Sequence, residues 1–159
     1  MHCPTLPDIV TLDKFNGNFI EYQNFLYDLY RKEIKQGLTY NGIKITMRSH
    51  PRYLEKEESF YHFTCKEWNK DGERTPDLRR CERLCWIKPT IMTNHPIVCG
   101  FNCLKIYKKG NRLHLLNDKD RFLIVLEVRR NYILLVTSFY IEHDHTLAKK
   151  IKDYERYKV

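Results

Sequence analysis

Apolar residues recur at helical spacing across residues 19–36, where Phe19, Tyr22, Leu26, Leu29, Tyr30 and Ile34 form one stripe. Asn16-Gly17-Asn18 offers a turn and a cap before that stripe, and Gly37 closes it, so the pattern predicts an amphipathic N-terminal helix. After Tyr40-Asn41-Gly42, the run Ile43-Lys44-Ile45-Thr46-Met47 alternates apolar with polar as a half-buried strand does, and Pro51 ends it. Residues 59–66 alternate again; a strand there sets Phe60, His62 and Thr64 on one face and Tyr61, Phe63 and Cys65 on the other. A second helix is expected from Thr75 as N-cap, Pro76 at the first helical position and Asp77 complementing the dipole, ending at or just beyond Pro89. Along it Leu78, Cys81, Leu84 and Cys85 gather on one side, and Arg79, Arg83 and Trp86 on a second. Three strand-like runs, 104–107, 121–129 and 132–141, the last two joined by a tight turn near Arg130-Asn131, predict an antiparallel meander. Residues 146–157 mix Leu147 and Ile151 with many charges, which suits a C-terminal helix resting on the edge of the sheet.

The order helix, strands, helix, antiparallel strands predicts an α+β domain with helices on one face of a curved sheet. At 159 residues the chain fits one domain that buries a core without disulfide staples, with a helical part at 1–37 and an α+β core at 43–159. A formal charge of +8 favours an anionic partner such as nucleic acid. Residues 1–30 contain Asp8, Asp13, Glu21 and Asp28 and no long apolar run, so neither a signal peptide nor a membrane span is expected; no membrane partner follows, and the cytoplasm is the expected location. Six cysteines in this setting read as reduced thiols. Cys81-x3-Cys85 and Cys99-x3-Cys103 do form a paired-pair pattern, and four thiolates are a legitimate zinc set. Structural zinc pairs sit on tight two-residue knuckles, however, so the spacing favours small buried hydrophobes and no metal site is expected.

Candidate chemistry centres on Tyr61-His62-Phe63-Thr64 and the cationic run that follows it. A histidine near a helix studded with arginines supplies a proton carrier beside anion-binding charges, which metal-free cleavage of a phosphodiester needs. Each feature has a structural rival. His62 among aromatics also suits a hydrogen-bonded structural residue. Arg79, Arg80 and Arg83 equally suit a solvated face paired with Glu82 and Asp77, and Trp86 suits the core as well as a base-stacking platform. Lys105, Lys108, Lys109 and Arg112 form a second basic cluster around Gly110, fit either for phosphates or for an ordinary charged hairpin. His143-Asp144-His145 reads as a polar turn rather than a metal site, lacking further ligands nearby in sequence.

In order along the chain, Phe60-Tyr61-His62-Phe63-Thr64, then Pro76-Asp77-Leu78-Arg79-Arg80-Cys81-Glu82-Arg83-Leu84-Cys85-Trp86-Ile87-Lys88-Pro89, then Phe122-Leu123-Ile124-Val125-Leu126-Glu127-Val128-Arg129 and Leu134-Leu135-Val136-Thr137-Ser138-Phe139-Tyr140 carry a resemblance. The chain resembles the phage-associated branch of the barnase, EndoU, colicin and RelE-type group of small ribonuclease folds, from about residue 43 to 157. The resemblance implies a toxin-like, metal-independent endoribonuclease that needs no cofactor: the ribose 2′-hydroxyl attacks its own phosphate and leaves a 2′,3′-cyclic phosphate and a free 5′-hydroxyl. It implies His62 as the proton carrier, Arg79, Arg83 or Lys88 offsetting phosphate charge, and Thr64 and Thr137 orienting the phosphate, with Arg80, Trp86, Lys105, Arg129 and Tyr140 contacting RNA. Implied partners are RNA, tRNA or mRNA among them, and an acidic antitoxin or immunity protein covering the basic cleft. The family carries a tyrosine soon after the threonine of the last strand; here Phe139 stands there, and Tyr140 beside it points the other way along a strand. That departure keeps open a non-catalytic nucleic-acid-binding module, and a protein-interaction domain on the same scaffold is the third reading.

Overall fold

The computed structural model describes residues 1–68 and 74–159. A 3₁₀ turn at Leu12–Phe15 leads to helix α1, Phe19–Leu29, whose N-terminal amides are capped by the Asn18 side chain accepting from the Glu21 N–H at 3.2 Å. The helix runs on through a π-turn at Tyr30–Ile34, and Gly37, at φ +81, reverses the chain after it. Strands β1, Thr39–Tyr40, and β2, Ile43–Thr46, form a hairpin over Asn41 and Gly42, both at positive φ as a tight turn of this hand requires.

Residues 59–66 depart from the predicted strand. They form helix α2, Glu58–Thr64, and only Cys65–Trp68 is extended, as β3, paired with β4 at Arg74–Pro76. A run this short satisfies both periods, and burial decides: Phe60, Phe63 and Thr64, spaced three and four apart, turn inward together, with the rings of Phe60 and Phe63 at 5.6 and 6.4 Å from that of Tyr30. The single long helix expected from Thr75 is also subdivided. Thr75 and Pro76 belong to β4, and the N-cap is Asp77, whose carboxylate accepts from the Arg79 and Arg80 amides at 3.0 and 3.4 Å. Helix α3, Leu78–Glu82, breaks at Arg83 into a 3₁₀ turn at Leu84–Trp86, then resumes as α4, Ile87–Met92, and α5, His95–Val98. Pro89 falls in the first turn of α4 rather than marking a stop, because a missing N–H costs nothing there.

The remaining strands are β5, Lys105–Lys109, β6, Arg112–Asn117, β7, Phe122–Val128, and β8, Ile133–Tyr140, and helix α6, Asp144–Tyr157, follows them. β6 adds a strand to the expected meander and makes the basic cluster around Gly110 a hairpin. The six-stranded sheet curls in the order β1-β2-β8-β7-β6-β5, antiparallel except where β2 meets β8. The fold is therefore α+β, a curved sheet with helices and a C-terminal helix.

Both faces of the sheet are covered, which explains why β7 reads as a continuous apolar run. One face, with Leu113, Leu115, Ile124, Leu126 and Leu135, closes on Leu26, Tyr30, Phe60, Phe63 and Ile87 of the helices. The other, with Leu116, Leu123 and Val125, is covered by Leu147, Ile151 and Tyr154 of α6, and that helix rests on the edge strand β5, where Tyr107 bridges Lys158 and Lys109 pairs with Asp153. Leu26 lies fully within the larger core, 1% exposed, so Leu26→Ala is expected to cost about 2–5 kcal/mol of stability in urea denaturation. A cost within about 0.5 kcal/mol, as expected for an open surface site, would contradict the packing described.

Candidate active site

Helix α2 positions an imidazole that faces a charged cleft. Its first amides are satisfied by the chain leaving β2: the Ser59 N–H donates to the Arg48 carbonyl at 3.0 Å and the Glu58 N–H to that of Ser49 at 3.4 Å. With Phe60 and Phe63 turned into the core, His62 is left half-exposed. Its Nε2 lies 3.1 Å from Glu58 Oε1, one turn back on the same helix, while Arg74 Nη2 holds the other oxygen of Glu58. The Arg74 guanidinium lies over the rings of Tyr61 and Tyr53, at 4.9 and 5.1 Å.

His62 opens onto a cleft of about 190 Å³ that it lines with Arg48, Ser59, Arg112, Glu127 and the β8 segment Leu134, Leu135 and Val136. Arg112 Nε is 3.3 Å from Glu127 Oε1, and Arg129 contacts the other oxygen of the same carboxylate. Burial pushes the His62 imidazole down from its ordinary value; Glu58 pulls it up, and Arg74 and Arg48 push it down again, for a net lowering. At neutral pH the ring is thus neutral, the state that can accept a proton. The cleft accordingly brings together an imidazole, two guanidinium groups, that of Arg112 paired with Glu127, and an apolar wall from β8.

The other residues expected at the site lie elsewhere or are otherwise engaged. Thr64 is buried and spends its hydroxyl on the Phe60 carbonyl at 2.8 Å, one turn back, so it does not face a phosphate beside His62. Arg80 donates to the His62 carbonyl at 2.9 Å, lies 3.4 Å from Asp77 and covers the Phe139 ring at 5.5 Å; it buttresses the end of α2. Arg83, with its side chain 11% exposed, bridges Glu82 at 3.2 Å and lies 4.0 Å above the Tyr140 ring. Arg79 reaches Glu82 and Glu142, and Lys88 is exposed on α4. The arginine run therefore neutralises the buried Glu82 and stacks on the end of β8. Trp86 is a core residue, edge-on to Phe122 at 5.5 Å with its indole N–H donating to the Pro7 carbonyl at 2.7 Å, so it presents no stacking platform. Lys105 pairs with Asp118 at the far end of the β5–β6 hairpin from Arg112. Thr137, half-buried opposite Val125 in the β7–β8 ladder, follows the cleft-lining Val136 along β8.

Arg48 and Arg112 are the cations that the sequence reading left out of the site. Arg112 lay within the noted basic cluster, whereas Arg48 follows a strand with nothing in the local pattern to single it out. The thiols also regroup: Cys81 points at the Thr64 carbonyl and Cys85 at that of Asp8, whereas Cys99 and Cys103 meet Cys3 and His95 instead. A larger groove of about 400 Å³ runs between β1 and α4–α5 past Thr39, Asn41, Met92, Asn94 and Asn102, and among the described residues no lysine or arginine lines it. Of these two clefts, the smaller is the one lined by arginines. No protein-family model, no curated protein and no solved structure matches the chain at a significant level.

Because the lowered imidazole takes up its proton later in the folded chain than in the unfolded one, the stability it confers is complete above about pH 6.5 and is lost as the pH falls below that value. In an NMR titration the His62 ring is expected to have its midpoint below about 6.5, and Arg48→Gln is expected to move that midpoint upward. A midpoint above the ordinary value, unmoved by Arg48→Gln, would contradict the electrostatics assigned to the cleft.

Proposed function

We propose that the chain is an endoribonuclease that cleaves RNA at the His62 cleft without needing a metal in the reaction. The observation that carries this reading is a neutral-biased imidazole held by Glu58 in a cleft that also contains Arg48 and Arg112. His62 takes the proton of the ribose 2′-hydroxyl as that oxygen attacks the adjacent phosphorus. Arg48 and Arg112 bind the non-bridging oxygens and offset the charge that builds on them. The bond from phosphorus to the 5′-oxygen breaks, that oxygen takes a proton from water, and the products are a 2′,3′-cyclic phosphate and a 5′-hydroxyl. Support comes also from the net charge of +8, which draws in a polyanion, and from the ordered motifs that resemble the small-ribonuclease group. The same charge suits an acidic inhibitor protein as a second partner.

Phe139 favours a second reading, a nucleic-acid-binding module: no phenol is present at that position, and its ring is covered by Arg80. The two readings separate in one experiment, in which tRNA, an mRNA fragment and single-stranded DNA are incubated with the protein in buffer without added divalent cation. Cleavage of RNA alone to cyclic-phosphate ends is expected. His62→Ala should slow it by about 10²-fold or more and Arg112→Ala by about 10-fold or more, while Lys32→Ala on the exposed side of the π-turn after α1 leaves it unchanged. RNA binding that weakens steeply with salt, unaltered in His62→Ala and without cleavage by the wild type, would instead establish the binding module.

A further inference from the structure

We propose that Cys3, His95, Cys99 and Cys103 form a structural zinc site. Cys3 Sγ, His95 Nδ1, Cys99 Sγ and Cys103 Sγ all lie within 4.8 Å of one another. Local structure accounts for three of the four. The Cys99 N–H donates to the His95 carbonyl at 2.8 Å, closing one helical turn that brings Cys99 Sγ to 3.7 Å from His95 Nδ1. Gly100, at φ +80, then reverses the chain so that Cys103 returns to the same point. The fourth donor arrives from the other end of the sequence: Cys3 Sγ lies 3.5 Å from His95 Nδ1 and 4.0 Å from Cys99 Sγ.

The separations of 3.5, 3.7 and 4.0 Å among Cys3, His95 and Cys99 match those of a tetrahedral zinc centre, with Cys103 Sγ within 4.8 Å of each. Zn–S bonds of about 2.3 Å and Zn–N bonds of about 2.0–2.1 Å place two sulfurs ~3.8 Å apart and a sulfur and a nitrogen ~3.6 Å apart. A disulfide would need sulfurs at about 2.0 Å, and all six cysteines are free thiols. Ordinary burial of small thiols gives no reason for four donor atoms to converge. The Thr90 carbonyl, 3.0 Å from His95 Nε2, can only accept, so Nε2 donates to it and Nδ1 is the ring nitrogen that lies beside the thiols of Cys3 and Cys99.

The surroundings support the ligands in turn. Asp120 Oδ2 accepts the Cys3 N–H at 2.9 Å and the Asn117 side-chain amide at 2.9 Å, fixing Cys3 against the β6–β7 turn. Three thiolates on a dication leave one net negative charge, and the Thr5 hydroxyl, 3.2 Å from Cys3 Sγ, can donate to it. Thiolate and imidazole donors select zinc over magnesium or calcium, and a set closed by four protein ligands leaves no position for water or substrate. The ion would therefore act structurally, tying a segment without helix or strand, residues 1–11, to α5 across the fold. None of its ligands lines the His62 cleft, so this site stands or falls independently of the proposed cleavage.

The test is elemental analysis of full-length protein expressed with zinc and purified without chelator, combined with cobalt titration of the metal-stripped wild type. About one zinc per chain is expected, with a sulfur-to-cobalt charge-transfer band and the intense visible absorption of tetrahedral cobalt saturating at one equivalent. Cys3→Ser and Cys99→Ser should each lower zinc content about tenfold or more, whereas Cys85→Ser, outside the cluster, should retain it. Cys3→Ser removes a ligand from the terminal segment, so its circular dichroism separates loss of metal from loss of fold. Folded wild type with less than about a tenth of an equivalent of zinc and no thiolate band with cobalt would overturn the proposal, as would equal zinc loss in Cys85→Ser.

Discussion

Two adjacent carboxylates buried at the start of α2 are the constraint on which the site depends. Glu57 is 1% exposed and Glu58 7% exposed, and ions so placed are tolerated only when paired and hydrogen-bonded. Glu57 accepts from Tyr27 at 2.7 Å and Arg52 at 2.9 Å, with Lys35 at 3.7 Å; burial works to raise its carboxyl, and these three partners together bring it below its ordinary value. Glu58 is shared between Arg74 and His62. Together these pairs clamp α2 to α1 on one side and to β4 on the other. The rotation of α2 that results leaves His62 facing outward beside Arg48. The position of the imidazole is thus a consequence of charge satisfaction as much as of apolar packing.

The sheet supplies the rest of the cleft by being incompletely paired. β2 meets β8 only at Ile133 and Leu134, and the register of β7 against β8 shifts between Val125 and Leu126, opposite Thr137 and Leu135. Leu134, Leu135 and Val136 line the cleft just where that pairing lapses. Arg112 and Glu127, directly opposite each other on β6 and β7, close the far side with an ion pair. Burial of both sheet faces makes this wall rigid, since the residues behind it are held by α6 on one side and by the helical core on the other.

Sequence periodicity was sufficient wherever an element was long and one-sided. The α1 stripe, the β7–β8 hairpin and the amphipathic α6 were all legible, because burial on a constant face repeats a period often enough to read. Residues 59–66 failed as a strand because seven helical residues offer too few repeats, and the deciding contacts with Tyr27 and Tyr30 come from α1 and the π-turn that continues it. Thr75-Pro76 is a good helix start locally, yet pairing with β3 claimed it and passed the cap to Asp77. The arginine run suits an RNA-facing surface and a face paired with Glu82 and Asp77 equally well in sequence, and the structure shows the pairing: Arg79 and Arg83 on Glu82, Arg80 on Asp77, and Arg83 over the ring of Tyr140. Spacing arguments about Cys81, Cys85, Cys99 and Cys103 considered cysteines alone, whereas the cluster takes His95 from one helical turn before Cys99 and Cys3 from across a long chain separation.

The central claim, that His62 acts as the base in RNA cleavage, is tested most directly by the pH dependence of single-turnover cleavage measured alongside the NMR titration of the same ring. The account predicts an acidic limb whose midpoint lies below about 6.5 and coincides with that of His62, because only the neutral imidazole can take the 2′-hydroxyl proton. Cleavage whose acidic limb departs from the His62 midpoint, or persists unchanged in His62→Ala, would contradict it.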